Sequence, residues 1–180
     1  MMVVDGDHQC SHCGARMRHA TSCGDCGGDL AVDERHVPVD VSPTVPRRRL
    51  ERAIHDATNR ARRDHDVDAI ASDPHLATIA RSHSCHMVDA DFSGHETPSG
   101  TTLTDRYDRA SYDWRRCGEN VPNHYPDDPD DATAIAREIV AGWLDSPGHR
   151  ENLLEPDWHV EGVGVDYAIG GAVLATPNFA

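Results

Sequence analysis

Pro38, Pro43 and Pro46 interrupt residues 37–46, where valine alternates with Pro, Asp, Ser and Thr. Each proline removes a backbone donor and pushes the preceding residue towards an extended conformation, so no helix can cross this stretch. The chain therefore divides into residues 1–32, a Pro-rich linker over 33–46, and a larger domain over 47–180. The first part is dense in Cys, Gly and His, with no amphipathic period. From Arg47 onward, apolar residues recur at the spacing of a helix.

Charge narrows the partners. Among 180 residues there are 31 acids, mostly Asp, against 17 Arg and no Lys, for a net charge of −14. Such a surface repels itself in dilute buffer and relaxes when salt shortens the Debye length to about 3 Å near 1 M. The composition points to a halophilic protein from a salt-rich cytoplasm. It disfavours nucleic acid and anionic membranes, which both need a positive footprint. The sequence from Met1 to Asp7 carries no basic, apolar leader, and no run of about 20 apolar residues suggests a membrane span. A cytoplasmic location, with reduced thiols, is the expectation.

Residues 1–32 carry Cys10-x2-Cys13 and Cys23-x2-Cys26. Each Cys-x-x-Cys turn sets two thiolates on one side of a tight loop, and two turns complete a tetrahedral S4 site. A segment with so few apolar residues has little core, so bound metal would supply its folding energy. Structural Zn2+ held by Cys10, Cys13, Cys23 and Cys26 is the expected cofactor. The module resembles the short zinc ribbons appended to many archaeal and bacterial proteins. It lacks a basic stripe, which favours a spacer or protein-docking role over nucleic-acid binding. Cys85 and Cys117 stand outside any pair motif and read as buried free thiols, with a disulfide between them the alternative that a reducing compartment disfavours.

Beyond the linker, Leu50, Ile54, Ala57 and Ala61 mark a helix over about 47–64. Asp73-Pro74 is a start signal for a second helix, with Leu76, Ile79, Ala80, His83 and Met87 on one stripe. Residues 88–131 read as loops with short irregular elements. Asp130 or Asp131 can cap a third helix carrying Ile135, Ile139, Val140, Trp143 and Leu144. Alternation over 159–167 and 172–179, around Gly170-Gly171, predicts a hairpin. The order helix, helix, loops, helix, hairpin gives an α+β layer fold.

Three segments carry candidate chemistry. Cys117-Gly118-Glu119-Asn120 offers a carboxylate beside a glycine. Ser146-Pro147-Gly148-His149 follows the third helix and presents an imidazole, and Phe92-Ser93-Gly94-His95 presents another. His95, His149 and Glu119 could hold a divalent metal with one open position, or Glu119 could fix an imidazole tautomer from behind. A shared metal needs the imidazole nitrogens about 3–4 Å apart. Ser146, three residues before His149, is the nearby hydroxyl for a Ser-His-Glu hydrolase, but nothing signals a nucleophile elbow or oxyanion hole. His83 reads as a helix anchor; His86, His55, His65 and His124 read as solvated.

Taken in order, His83-Ser84, Phe92-Ser93-Gly94-His95, Cys117-Gly118-Glu119-Asn120, Trp143-x2-Ser146-Pro147-Gly148-His149-Arg150-x-Asn152, Gly162-Val163-Gly164-Val165 and Asn178-Phe179 resemble the CAP superfamily (SCP domain), in its compact prokaryotic branch. The resemblance spans about 47–180. It implies a three-layer α-β-α sandwich whose cleft is lined by two His and two acids, falling here on His95, Glu119 and His149. The second acid's position is Ser146, which removes a charge. The implied function is a metal- or small-ligand-binding or scaffolding module, with a metal-assisted or Ser/His hydrolase as the alternative. A small ligand or a protein is the implied partner. Most members are exported, whereas this sequence shows no export signal.

Overall fold

The computed structural model describes residues 44–180, together with the backbone of two short strands, β1 (Asp7–Gln9) and β2 (Arg16–Arg18), which pair antiparallel. Cys10, Cys13, Cys23 and Cys26 lie outside the described residues.

The larger domain is built from α1 (Arg47–Asp64), β3 (Ala71–Ser72), α2 (Pro74–Asp89), α3 (Leu103–Arg109), β4 (Gly118–Glu119), β5 (Asn123–His124), α4 (Ala132–Asp145), α5 (Pro147–Leu153), β6 (Val160–Tyr167) and β7 (Val173–Phe179). Start signals behave as their chemistry requires. Asp73 accepts from the amides of His75 and Leu76, and Asp131 from those of Thr133 and Ala134, so each carboxylate satisfies amides that the helix leaves unpaired. Gly170 and Gly171, both at positive φ, turn the β6–β7 hairpin.

β7 is central: β6 pairs along one edge, β4 and β5 along the other, and β3 adds in parallel to β6. Alternate residues serve the two faces. Val163 and Val165 of β6, with Val173 and Ala175 of β7, pack on one side into a core with Leu50, Ile54, Ile135, Ile139 and Trp143 of α1 and α4. On the other side Gly162 and Gly164 let α2 lie against the strand. A Cβ on Gly164 would stand 2.2 Å from the backbone of Ala80 and Arg81. Ser84 of α2 bonds the Gly164 carbonyl and the Thr176 hydroxyl, fixing the helix along the strand. Helices thus cover both faces of a mixed sheet.

Two helices go beyond the elements expected from sequence. α3 lies within 88–131 and is started by a capping box between Thr102 and Asp105. Ser146-Pro147-Gly148 opens a new helix, α5, with Pro147 in its first turn, where a missing N–H costs nothing. Val45 is buried in the core, so packing of the domain includes the end of the Pro-rich stretch.

Buried polar groups route the chain between elements. Arg62, fully buried on α1, donates to the carbonyls of Asp68, Leu153 and Glu155, tying the α1–β3 loop to the end of α5. His55 is not solvated as expected; its Nδ1 lies 2.6 Å from the buried Glu161 carboxylate of β6. Asn59 Nδ2 faces the other ring nitrogen at 3.2 Å, a contact that favours the neutral ring. The carboxylate is closer and charged, and it raises the His55 pKa. His124 is likewise paired, with Glu138 at 2.7 Å.

Candidate functional site

The candidate cleft forms where β4, α2, α3, α5 and the loop after α2 meet. Glu119 on β4 stands opposite Asn178 of β7, and so faces the α2 side of the sheet. Its side chain is almost wholly buried, and both oxygens are engaged. Oε1 accepts from His95 Nδ1 at 3.0 Å, and Oε2 accepts from Arg106 Nη2 of α3. Arg106 also donates Nη1 to the His95 carbonyl at 2.9 Å, so one guanidinium holds both the carboxylate and the loop that carries the imidazole.

His83 of α2 sits beneath this pair. Its Nε2 lies 2.8 Å from the Gly94 carbonyl and 4.0 Å from Glu119 Oε1. A carbonyl only accepts, so Nε2 carries the proton, leaving Nδ1 as an acceptor; that atom is buried without a partner. Burial, opposed by the Glu119 charge and reinforced by Arg106, pushes the His83 pKa down to about 4. His83, expected to anchor its helix, instead ties α2 to the loop that bears His95 through the Gly94 carbonyl.

His149 arrives from α5 through a polar clamp. Asn120 donates to the His149 carbonyl at 3.1 Å, and Asn152 donates to the Asn120 side-chain oxygen at 2.9 Å. Gly118 makes room, because a Cβ there would meet Asn152 Oδ1 at 2.3 Å and Trp158 at 2.6 Å. The His149 pKa is lowered by partial burial and by neighbouring His95. The two rings have centroids 6.4 Å apart. With Nδ1 of His95 engaged by Glu119, Nε2 is the ring nitrogen left for another partner, on a half-exposed ring.

His95, Glu119 and His149 are therefore brought to one place. Ser146 lies at the α4–α5 junction, and its hydroxyl makes no side-chain capping bond; no hydrogen bond joins it to His149. Arg106 was not a candidate from sequence, although its place on a helix opened by Thr102-x2-Asp105 was the available signal. Neither Cys85 nor Cys117 is joined in a disulfide; Cys85 Sγ lies 3.6 Å from Asp89 Oδ2, and burial raises both thiol pKa values.

A divalent metal fits this donor set poorly. Among the described residues, no group of three or more His, Cys, Asp or Glu converges to hold a metal ion. Two imidazoles on one tetrahedral zinc, with Zn–N bonds of about 2 Å, have centroids roughly 5 Å apart, closer than the 6.4 Å between His95 and His149. Glu119 would also have to release Arg106.

The profile of the cysteine-rich secretory protein (CAP) family matches residues 55–174. This chain belongs to the CAP family. A Bacillus subtilis (strain 168) protein described as the uncharacterized membrane protein YlbC is 34% identical over 116 residues, covering 64% of this chain and 31% of that protein. Uncharacterized protein YkwD of the same strain is 25% identical over 123 residues, covering 68% and 44%. The chain thus spans less than half the length of these curated relatives. Among solved structures, an extracellular SCP-domain protein from Bacillus anthracis str. Ames is 31% identical with a TM-score of 0.63, covering 74% of this chain and 40% of that one. An outer surface protein from Borrelia burgdorferi shares the fold at 16% identity and a TM-score of 0.65, covering 75% and 94%. Among the described residues of the CAP domain, no helix is long and apolar enough to cross a membrane.

Partly buried His55 and fully buried His83 together give the stability of this CAP domain a peaked pH profile. His55 has a raised folded pKa, so its contribution is complete below the unfolded value of about 6.5 and is lost as pH rises through the folded one. His83 has a folded pKa of about 4, so its penalty is absent above about 6.5 and grows to roughly 3 kcal/mol as pH falls to about 4. Urea melts across this range should peak near neutrality. The acid limb should flatten in His83→Gln and the alkaline limb in His55→Gln; limbs unchanged by these substitutions would assign the profile to other groups.

Proposed function

We propose that this CAP domain is a binding module whose cleft takes a small polar ligand between the imidazoles of His95 and His149. The observation that carries this reading is the state of Glu119. With one oxygen bonded to His95 and the other to Arg106, it is a fixed anchor that orients an imidazole. A carboxylate so committed is badly placed to act as a general base or to ligate a cation. His95 Nε2 and the ring nitrogens of His149 are left to hydrogen-bond a ligand. Ser146 has no base bonded to it, which weighs against the Ser/His hydrolase.

The same reading takes residues 1–32 as a zinc ribbon on Cys10, Cys13, Cys23 and Cys26, supported by their paired spacing. It takes the acidic composition as adaptation to a salt-rich, cytoplasmic setting; a helical signal equally stable in 0.1 M and 2 M KCl would remove the halophilic part.

Metal analysis of the purified full chain tests both metal assignments. One zinc per chain is expected, lost in Cys23→Ser and retained in His149→Ala. A second zinc that disappears in His149→Ala would make the cleft a metal site. Native mass spectrometry should show a small molecule carried through purification and lost in the His95→Ala, His149→Ala double variant. Ester or peptide turnover abolished by His149→Ala would replace binding with hydrolysis.

A further inference from the structure

A second groove, of about 600 Å³, runs along the outer face of α2, walled by residues 97–101 and α3. Neither His95 nor His149 lines it, and His83 and Arg106 are shared with the cleft. Its volume is that of a small-molecule site, but its chemistry is not that of a lipid pocket. α2 contributes His75, Ser82 and His86 along one helical face, and the opposite wall contributes Thr101, Arg106 and Arg109. No Asp or Glu lines it, in a chain with 31 acids against 17 Arg. Arg106 is already paired with Glu119, so the positive charge this surface offers an anion comes from exposed Arg109.

Three details sharpen the ligand. Among the described residues no carboxylate lies within ion-pair distance of Arg109, although Asp105 one turn earlier feels its charge, and the Arg109 side-chain hydrogen bond is a long one, 3.4 Å, to Thr101 Oγ1. Arg106 Nε and His83 Nδ1 are buried polar atoms without partners, and both residues line the groove. The first can only donate and the second, by the tautomer fixed at Gly94, can only accept. Leaving such atoms unpaired is costly. Those two atoms lie behind the groove wall; the ligand that meets the accessible lining carries an oxyanion acceptor for Arg109 and hydroxyls for the serine, threonine and histidine side chains of the rim.

We propose that this groove binds a small polyhydroxylated anion, a sugar bearing a phosphate or a carboxylate, with Arg109 as the anion anchor and His75 and His86 at the rim. The binding does not rest on the cleft reading.

The experiment is a titration of isotope-labelled full chain, following the ring resonances of His75 and His86. Glucose 6-phosphate and glucuronate are the anionic probes, and glucose and inorganic phosphate are controls. At least one sugar acid should shift both rings and bind more tightly than either control; which one binds tighter identifies the anion. Arg109→Ala should weaken that binding by about tenfold or more, the scale of a charge-assisted hydrogen bond. Arg52→Ala, which removes an equal charge from exposed α1 surface, should leave it unchanged. The proposal is overturned by no shift with either sugar acid at about 10 mM. It is equally overturned by inorganic phosphate binding as tightly as the sugar acids, or by equal losses in the two arginine variants.

Discussion

Gly164→Ala is expected to lower the thermal midpoint of the CAP domain by about 10 °C, corresponding to roughly 3 kcal/mol at the severe end of overpacking in a domain of this size. The new methyl would stand 2.2 Å from backbone atoms of Ala80 and Arg81 and 2.6 Å from the Ala80 carbonyl oxygen. No rotamer change relieves a clash with backbone, so α2 itself must lift from β6. That movement would pull Ser84 from the Gly164 carbonyl and Thr176 and disturb His83 one residue away. Gly142→Ala supplies the opposite sign. It lies within α4 with nothing inside 4 Å of its added methyl, so the helix should gain about 0.5–1 kcal/mol. Calorimetry of both variants checks the pair. A midpoint unchanged in Gly164→Ala would mean that α2 is not seated on the strand.

Glu119→Ala is expected to cost about 3–5 kcal/mol, because it strands a buried cation. The side chains of Glu119 and Arg106 are 2% and 9% exposed, and among the described residues Arg106 has no second carboxylate within ion-pair distance. Removal of the arginine should be similarly damaging. The double variant Glu119→Leu, Arg106→Met should lose less than the sum of the single losses, since no lone charge remains. Denaturant melts of the cycle measure the coupling. Single losses under about 1 kcal/mol, adding independently, would place the pair in solvent and remove the basis for treating Glu119 as a fixed anchor.

The parts of this domain legible in its sequence are those set by local chemistry. Asp73 and Asp131 cap helices because a carboxylate beside free amides acts the same way in any fold, and the hairpin follows from alternation around Gly170-Gly171. α3 escaped because Leu103–Arg109 is short and buries a single side chain, Tyr107, leaving no stripe to detect. α5 is hidden because Ser-Pro reads equally as the close of α4 and as the first turn of a new helix. His95, Glu119 and His149 were recoverable from the ordered motifs. Their holders were not: Arg106 acts through contacts that depend on where α3 docks, and His55 meets Glu161 across 106 positions of chain. Spacing carries no trace of such pairs.

The central position of β7 has a consequence for how the molecule is made. Val173–Phe179 is the last of the described elements along the chain, yet β6, β4 and β5 all bond to it. During vectorial synthesis every helix emerges before the strand that organises the sheet, so the nascent polypeptide must wait with its apolar faces uncovered. Closure is then a late, long-range event, of the kind that slows folding and invites chaperone capture. A polypeptide halted before Val173 would present a complete set of cleft residues and no sheet to hold Glu119 in place.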